Sequence, residues 1–139
     1  MKGRIDYKVV NNRYFPIGDT SGAKTLAHWC GSDIQFSLKA LDEWLAAVKA
    51  VATESGKPGY LGTGNVMSVS ATTTLVYIES EFTDSHKVCL THDEVIDALS
   101  NYRKYVADRN TPPQGFDVSY IAEEDQAFSA FEDAGGQCI

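Results

Sequence analysis

Hydrophobic and polar positions along this chain recur with two periods. From Arg4 to Val10, Ile5, Tyr7 and Val9 alternate with Asp6 and Lys8, the period of two that marks a half-buried strand. Asn11-Asn12 suits a tight turn, because asparagine tolerates positive φ. Arg13 to Ile17 then returns as a second strand, with Pro16 marking it as an edge or ending it. Ala23 to Ser32 shows no clear period. From about Ser37 to Glu54 the period becomes helical: Leu38, Leu41, Leu45, Val48 and Ala52 draw one apolar stripe, with Lys39, Asp42, Glu43 and Lys49 opposite. Ser37 reads as the N-cap, and Gly56 with Pro58 as the stop.

Gly56 to Gly64 reads as a glycine-rich loop. Asn65 to Ala71, Thr73 to Phe82 and Lys87 to Leu90 read as three strands. Their connections are too short for parallel crossovers, so an antiparallel meander is expected. Thr91-His92-Asp93-Glu94 has the form of a capping box and opens a helix to about Asp108, striped by Val95, Leu99, Tyr102 and Val106. Pro112-Pro113 lies beyond its end. Phe116, Val118 and Tyr120 alternate as one more strand, and Ala122 to Ala134 reads as a short acidic helix. The order β-β-α-β-β-β-α-β-α predicts an α+β domain over residues 1–139. Its antiparallel sheet carries two main helices packed on one face and a short acidic C-terminal helix, and residues 135–139 form a frayed tail.

At 139 residues the chain is long enough to bury its own core without staples. No apolar run approaches membrane-spanning length, and no apolar stretch follows Lys2 and Arg4, so neither a span nor a signal peptide is expected. The three cysteines, Cys30, Cys89 and Cys138, are odd in number and widely spaced, which fits reduced thiols in a cytoplasmic protein.

The formal net charge is −7, and it is unevenly placed. All 12 lysines and arginines lie before residue 116, whereas Asp117, Glu123, Glu124, Asp125, Glu132 and Asp133 follow with no base among them. Phosphate recognition needs clustered bases, so nucleic acid and anionic membrane are unfavoured partners. A basic protein partner is favoured, because long-range attraction speeds encounter.

Motifs that would carry chemistry are incomplete. Gly59 to Gly64 has neither the spacing nor the following helix of a phosphate loop. Gly18-Asp19-Thr20-Ser21-Gly22 matches no protease string. His28-x-Cys30 and Cys89-x-x-His92 supply ligands enough for a tetrahedral zinc site, but without its usual spacing. His92 follows an N-cap, where imidazoles point to water, and Cys89 sits in a strand. No metal and no cofactor is therefore expected. A small enzyme or a ligand- or metal-binding protein using this Cys/His set is the alternative. Glu79 and Glu81 share one face of a strand, and Asp84 continues that row. Trp29 and Tyr60, placed in loops beside glycines, are candidate apolar anchors for an interface.

Leu41-Asp42-Glu43-Trp44-Leu45 and the run from Val88 to Tyr105, with its strand, capping box and helix, set within this layout, resemble the small immunity proteins of bacterial contact-dependent inhibition and related polymorphic toxin systems. The resemblance implies a non-catalytic cytoplasmic α+β protein that binds one cognate toxin domain, often a basic nuclease. It implies no particular residue, because these proteins diverge with their toxins. The expected function is therefore neutralisation of a cognate bacterial toxin by occlusion of its active site or substrate surface. The candidate contact residues are Glu79, Glu81, Asp84, Asp117, Glu123, Glu124, Asp125, Trp29 and Tyr60. A regulatory or anti-defence inhibitor is a further alternative with the same charge logic.

Overall fold

The computed structural model describes residues 1–137. Its elements are β1 (Lys2–Val10), β2 (Arg13–Gly18), α1 (Ser21–His28), α2 (Leu38–Ala52), β3 (Gly59–Thr63), β4 (Met67–Ala71), β5 (Leu75–Ser80), β6 (Lys87–Thr91), α3 (His92–Ala107), β7 (Phe116–Ser119), β8 (Ala122–Glu123) and α4 (Asp125–Asp133). The class is α+β. The strands form two antiparallel sheets rather than one: β2-β1-β7 and β3-β4-β5-β6-β8. The split is a long-range event. Lys2 pairs with Ser119 and Ile5 with Phe116, so the late strand β7 returns to β1 and never joins the meander.

Local signals set the helix starts. Ser37 Oγ accepts from Ala40 N–H, and Thr91 and Glu94 complete both halves of the capping box. The uncertain segment before Ser37 is helical. After α1 the chain continues through a π-helical turn, Trp29–Ile34, closed by Gln35 N–H on Cys30 C=O at 2.7 Å. Trp29, Cys30 and Ile34 enter the core through it.

One core joins both sheets. Ile5 and Val118 from the smaller sheet pack with Val69, Val76, Ile78, Val88 and Leu90 from the larger, under α1, α2 and α3. The alternate residues of the meander face the other way. There Tyr77 and Cys89 meet Ala122, Ala127 and Phe131, with Tyr77 stacked on Phe131 at 5.0 Å between ring centroids. The acidic helix α4 thus covers part of the opposite face of the larger sheet. α4 ends on two glycines. Gly135, at φ 90, and Gly136 donate to Glu132 and Phe131 C=O, the two bonds of a Schellman motif. Cys138 and Ile139 lie outside the described residues. Among the described residues no helix is long and apolar enough to cross a membrane.

Candidate partner-binding face

The stretch read as a loop at Gly56–Gly64 contains β3, the edge strand of the larger sheet. Glycine weakens the strand signal, and a bulge between Tyr60 and Gly62 breaks the alternation. The bulge has a consequence for the surface. Residues three apart in a regular strand face opposite sides. Here Tyr60 pairs with Ser70 and Thr63 with Ser68, so both side chains share the outer face. Gly62, at φ 153, lets the backbone lie on the Trp44 ring, which a Cβ would approach to 3.2 Å.

That geometry builds a polar chain. Tyr60 Oη bonds Thr63 Oγ1, Thr63 Oγ1 bonds Ser68 Oγ at 2.9 Å, and Ser68 Oγ donates to Glu81 Oε1. Each hydroxyl has one proton. Ser68 spends its proton on the carboxylate, so Thr63 donates to Ser68 and Tyr60 to Thr63. The row is polarised toward Glu81 and holds the Tyr60 ring at the rim, where it is 50% exposed. Glu79 lies on the same face, accepting from Tyr77 Oη at 2.9 Å and paired in register with Lys87. Lys87 in turn reaches Asp125 at 3.5 Å.

The turn after β5 adds a residue that the sequence reading missed. Phe82 is 78% exposed, more than any other large apolar side chain described. Its loop is held by main-chain amides: Phe82 and Thr83 N–H both donate to the Ser80 side-chain Oγ, and His86 N–H donates to Thr83 C=O. Glu81 precedes the ring and Asp84 follows it, both exposed. The signal in the sequence was an aromatic residue set between acids beside Thr83-Asp84-Ser85-His86. It was hidden because Phe82 also reads as the end of a strand.

The remaining predicted contact residues divide. Glu124 and Asp125 are exposed at the start of α4, beside Lys87. Asp117 lies on the other sheet, on β7, paired with Arg4 at 3.2 Å. Glu123 turns inward. Its Oε1 accepts from Gly22 N–H at 2.9 Å and from Tyr120 Oη at 2.7 Å, so it holds the start of α1 against β8 rather than facing a partner. Trp29 is corrected outright. It is 0% exposed, edge-on to Trp44 at 5.5 Å, because the chain around it is a buried helical turn and not a loop.

No match emerges when the chain is compared with known protein families, curated proteins and solved structures.

The Cys/His set does not assemble. Cys30 lies in the main core and Cys89 in the small cluster on the opposite face of the sheet. Burial pushes both thiols up to about 12, away from the reactive thiolate. His92 does not point to water. It is buried, with Nε2 3.0 Å from Thr72 C=O. His28 instead meets His86, ring to ring at 5.9 Å. Among the described residues no three His, Cys, Asp or Glu side chains gather as a metal site would need. Asp33, which the sequence did not single out, clasps the turn before β4 by accepting from Val66 and Met67 N–H, both at 2.9 Å. Its burial raises its pKa above the usual carboxylate value.

Proposed function

We propose that this protein is an immunity-type inhibitor that neutralises a cognate bacterial toxin domain by covering its active site or substrate surface. The observation that carries the reading is two exposed aromatic rings set among acids: Phe82 lies between Glu81 and Asp84 in the chain, and Tyr60 is tied to Glu81 through Thr63 and Ser68, with Glu79 opposite Ser68. Interface hot spots favour aromatic anchors, and a rim of one charge sign steers an oppositely charged partner. Exposed Glu124 and Asp125 extend the negative surface beyond Lys87. The partner that this surface suits is a basic protein domain, and the resemblance to toxin-system immunity proteins gives that domain its class.

The mechanism needs binding and no turnover. The acids raise the encounter rate, and the rings, once desolvated, set the residence time. The test is co-expression with the product of the adjacent upstream gene, measuring co-purification and host survival. Rescue by the wild type, lost in a folded Phe82→Ala/Tyr60→Ala variant, supports the reading. A harmless neighbour that does not bind overturns it.

A further inference from the structure

We propose that the open edge of β1 is a second docking surface, one that takes up an extended peptide carrying an acidic residue between two apolar ones. It lies on the smaller sheet, away from Phe82 and Tyr60, and does not depend on the function proposed for that face. β1 pairs with β7 from Lys2 to Ile5 and with β2 from Ile5 to Val10, so Ile5 alone is flanked on both sides. Beyond Ile5 the chain leading into β7 departs, and residues Asp6–Val10 keep β2 alone as neighbour.

The hairpin turn decides which groups are left over. Asn11 and Asn12, at φ 50 and 64, form a two-residue turn that closes on the Val10–Arg13 pair. Val10, Lys8 and Asp6 therefore exchange hydrogen bonds with β2, and Tyr7 and Val9 aim their N–H and C=O groups the other way. No described backbone group meets them there. Exposed edges of this sort are where peptides add as strands.

Beside that edge is a cleft of about 360 Å³ whose lining includes Tyr7, Lys104, Tyr105, Pro112, Pro113 and Phe116. Tyr7 and Tyr105 stand 5.3 Å apart and Tyr7 and Phe116 6.4 Å. A strand laid along β1 would send alternate side chains toward this aromatic cleft and the intervening one toward Lys8 on the opposite face. Lys8 is exposed and forms no ion pair among the described residues. Charge therefore selects an acid at the intervening position, and Val9, 64% exposed, adds apolar surface. The same lysine disfavours a second copy: self-pairing centred there sets Lys8 against Lys8.

The experiment is selection of a phage-displayed library of short linear peptides on the immobilised protein, followed by titration of the enriched peptides. The variants are Val9→Pro, which removes an N–H that β2 does not use, and Lys8→Glu; urea midpoints confirm that both fold. We expect enriched peptides with an acid flanked by apolar residues. Val9→Pro should weaken them about tenfold or more, and Lys8→Glu roughly fivefold while reselecting Lys or Arg at the central position. Lack of enrichment, or peptides indifferent to both variants, overturns the proposal. If Val9→Pro does not fold, Lys8→Glu decides, and peptides whose affinity and selected charge ignore Lys8 overturn it. A dimer of the free protein that Val9→Pro dissociates also overturns it, since the occupant is then a second copy. Loss of binding in Phe82→Ala belongs to the other face and leaves this one intact.

Discussion

Glu123 and Glu124 are adjacent and equal in charge, yet their replacement should have opposite kinds of effect. Glu123 Oε1 receives both Gly22 N–H and Tyr120 Oη. Hydrogen bonds to a charged group contribute about 1.5–3 kcal/mol each. Two such bonds set an upper range that must be discounted. Tyr120 Oη keeps its 2.7 Å bond to Thr20 Oγ1, which discounts that half, whereas the Gly22 amide, buried at the start of α1, is left without its acceptor. Glu123→Ala should therefore cost about 2–3 kcal/mol. Glu123→Gln retains an oxygen in place as a neutral acceptor and should cost about half as much. Glu124, exposed and without a capping bond, should cost nothing when shortened to Gly. Its φ of 57 favours glycine, so Glu124→Gly should leave stability unchanged or raise it by up to about 1 kcal/mol.

The assay is urea unfolding followed by the fluorescence of buried Trp29 and half-buried Trp44. For a domain of this size Glu123→Ala should lower the midpoint by about 1–2 M at unchanged slope. A Tyr120→Phe variant closes the cycle, because the Glu123→Ala loss should shrink in its presence. A Glu123→Ala midpoint within error of wild type, or a full loss retained in Tyr120→Phe, would refute the inward role of Glu123.

Phe82→Ala should move the urea midpoint by less than about 0.5 kcal/mol in stability, as an exposed residue does, while weakening the cognate complex by about 2 kcal/mol or more in a binding titration. His86 is held below its ordinary value of 6.5 by burial, by His28 and by Lys24, so the unfolded chain binds its proton first. Its contribution to stability is complete above that value and is lost as pH falls through the folded pKa; the acid-side drop in urea midpoint should be smaller in His86→Gln. Cys30 and Cys89, with thiols raised to about 12, should resist iodoacetamide at neutral pH until urea unfolds the chain, with peptide mass mapping as the readout.

Residues whose structure depends on near neighbours were readable in the sequence. The Thr91–Glu94 capping box, the Ser37 cap, the stripes of α2 and α3 and the β4-β5-β6 meander are of this kind. The misses come from interactions over long separations or from dilution of a local signal. Nothing near Phe116 shows that it will pair with Ile5. Nothing in Ala122–Glu123 marks the end of an acidic run as the edge strand β8, which is what turns Glu123 inward. In β3 the glycines and the bulge hid the strand, and with it the shared face of Tyr60 and Thr63. Around Trp29 a short π-helical turn containing Gly31 gave too few repeats to reveal a period. Of the two predicted apolar anchors, Tyr60 is at the surface and Trp29 is not. Exposure is set by the assembled core, which residue type alone does not report.

The two proposed surfaces share one structural logic, and it makes them separable. Each lies at the margin of one sheet: Tyr60 on the edge strand β3 and Phe82 in the turn after the central strand β5 of the larger, Tyr7 and Val9 on the open part of β1 in the smaller. Their charges also differ in sign. The first carries Glu79, Glu81 and Asp84, whereas the second is centred on Lys8, with Lys104 and Asp108 offsetting each other in its cleft. Salt screening weakens both, but charge reversal does not act on both alike. Glu81→Lys should slow association with a basic partner and leave an acidic peptide on β1 unaffected, and Lys8→Glu should do the converse. A single variant that abolished both bindings would have to act through the shared core, and its urea midpoint would show it.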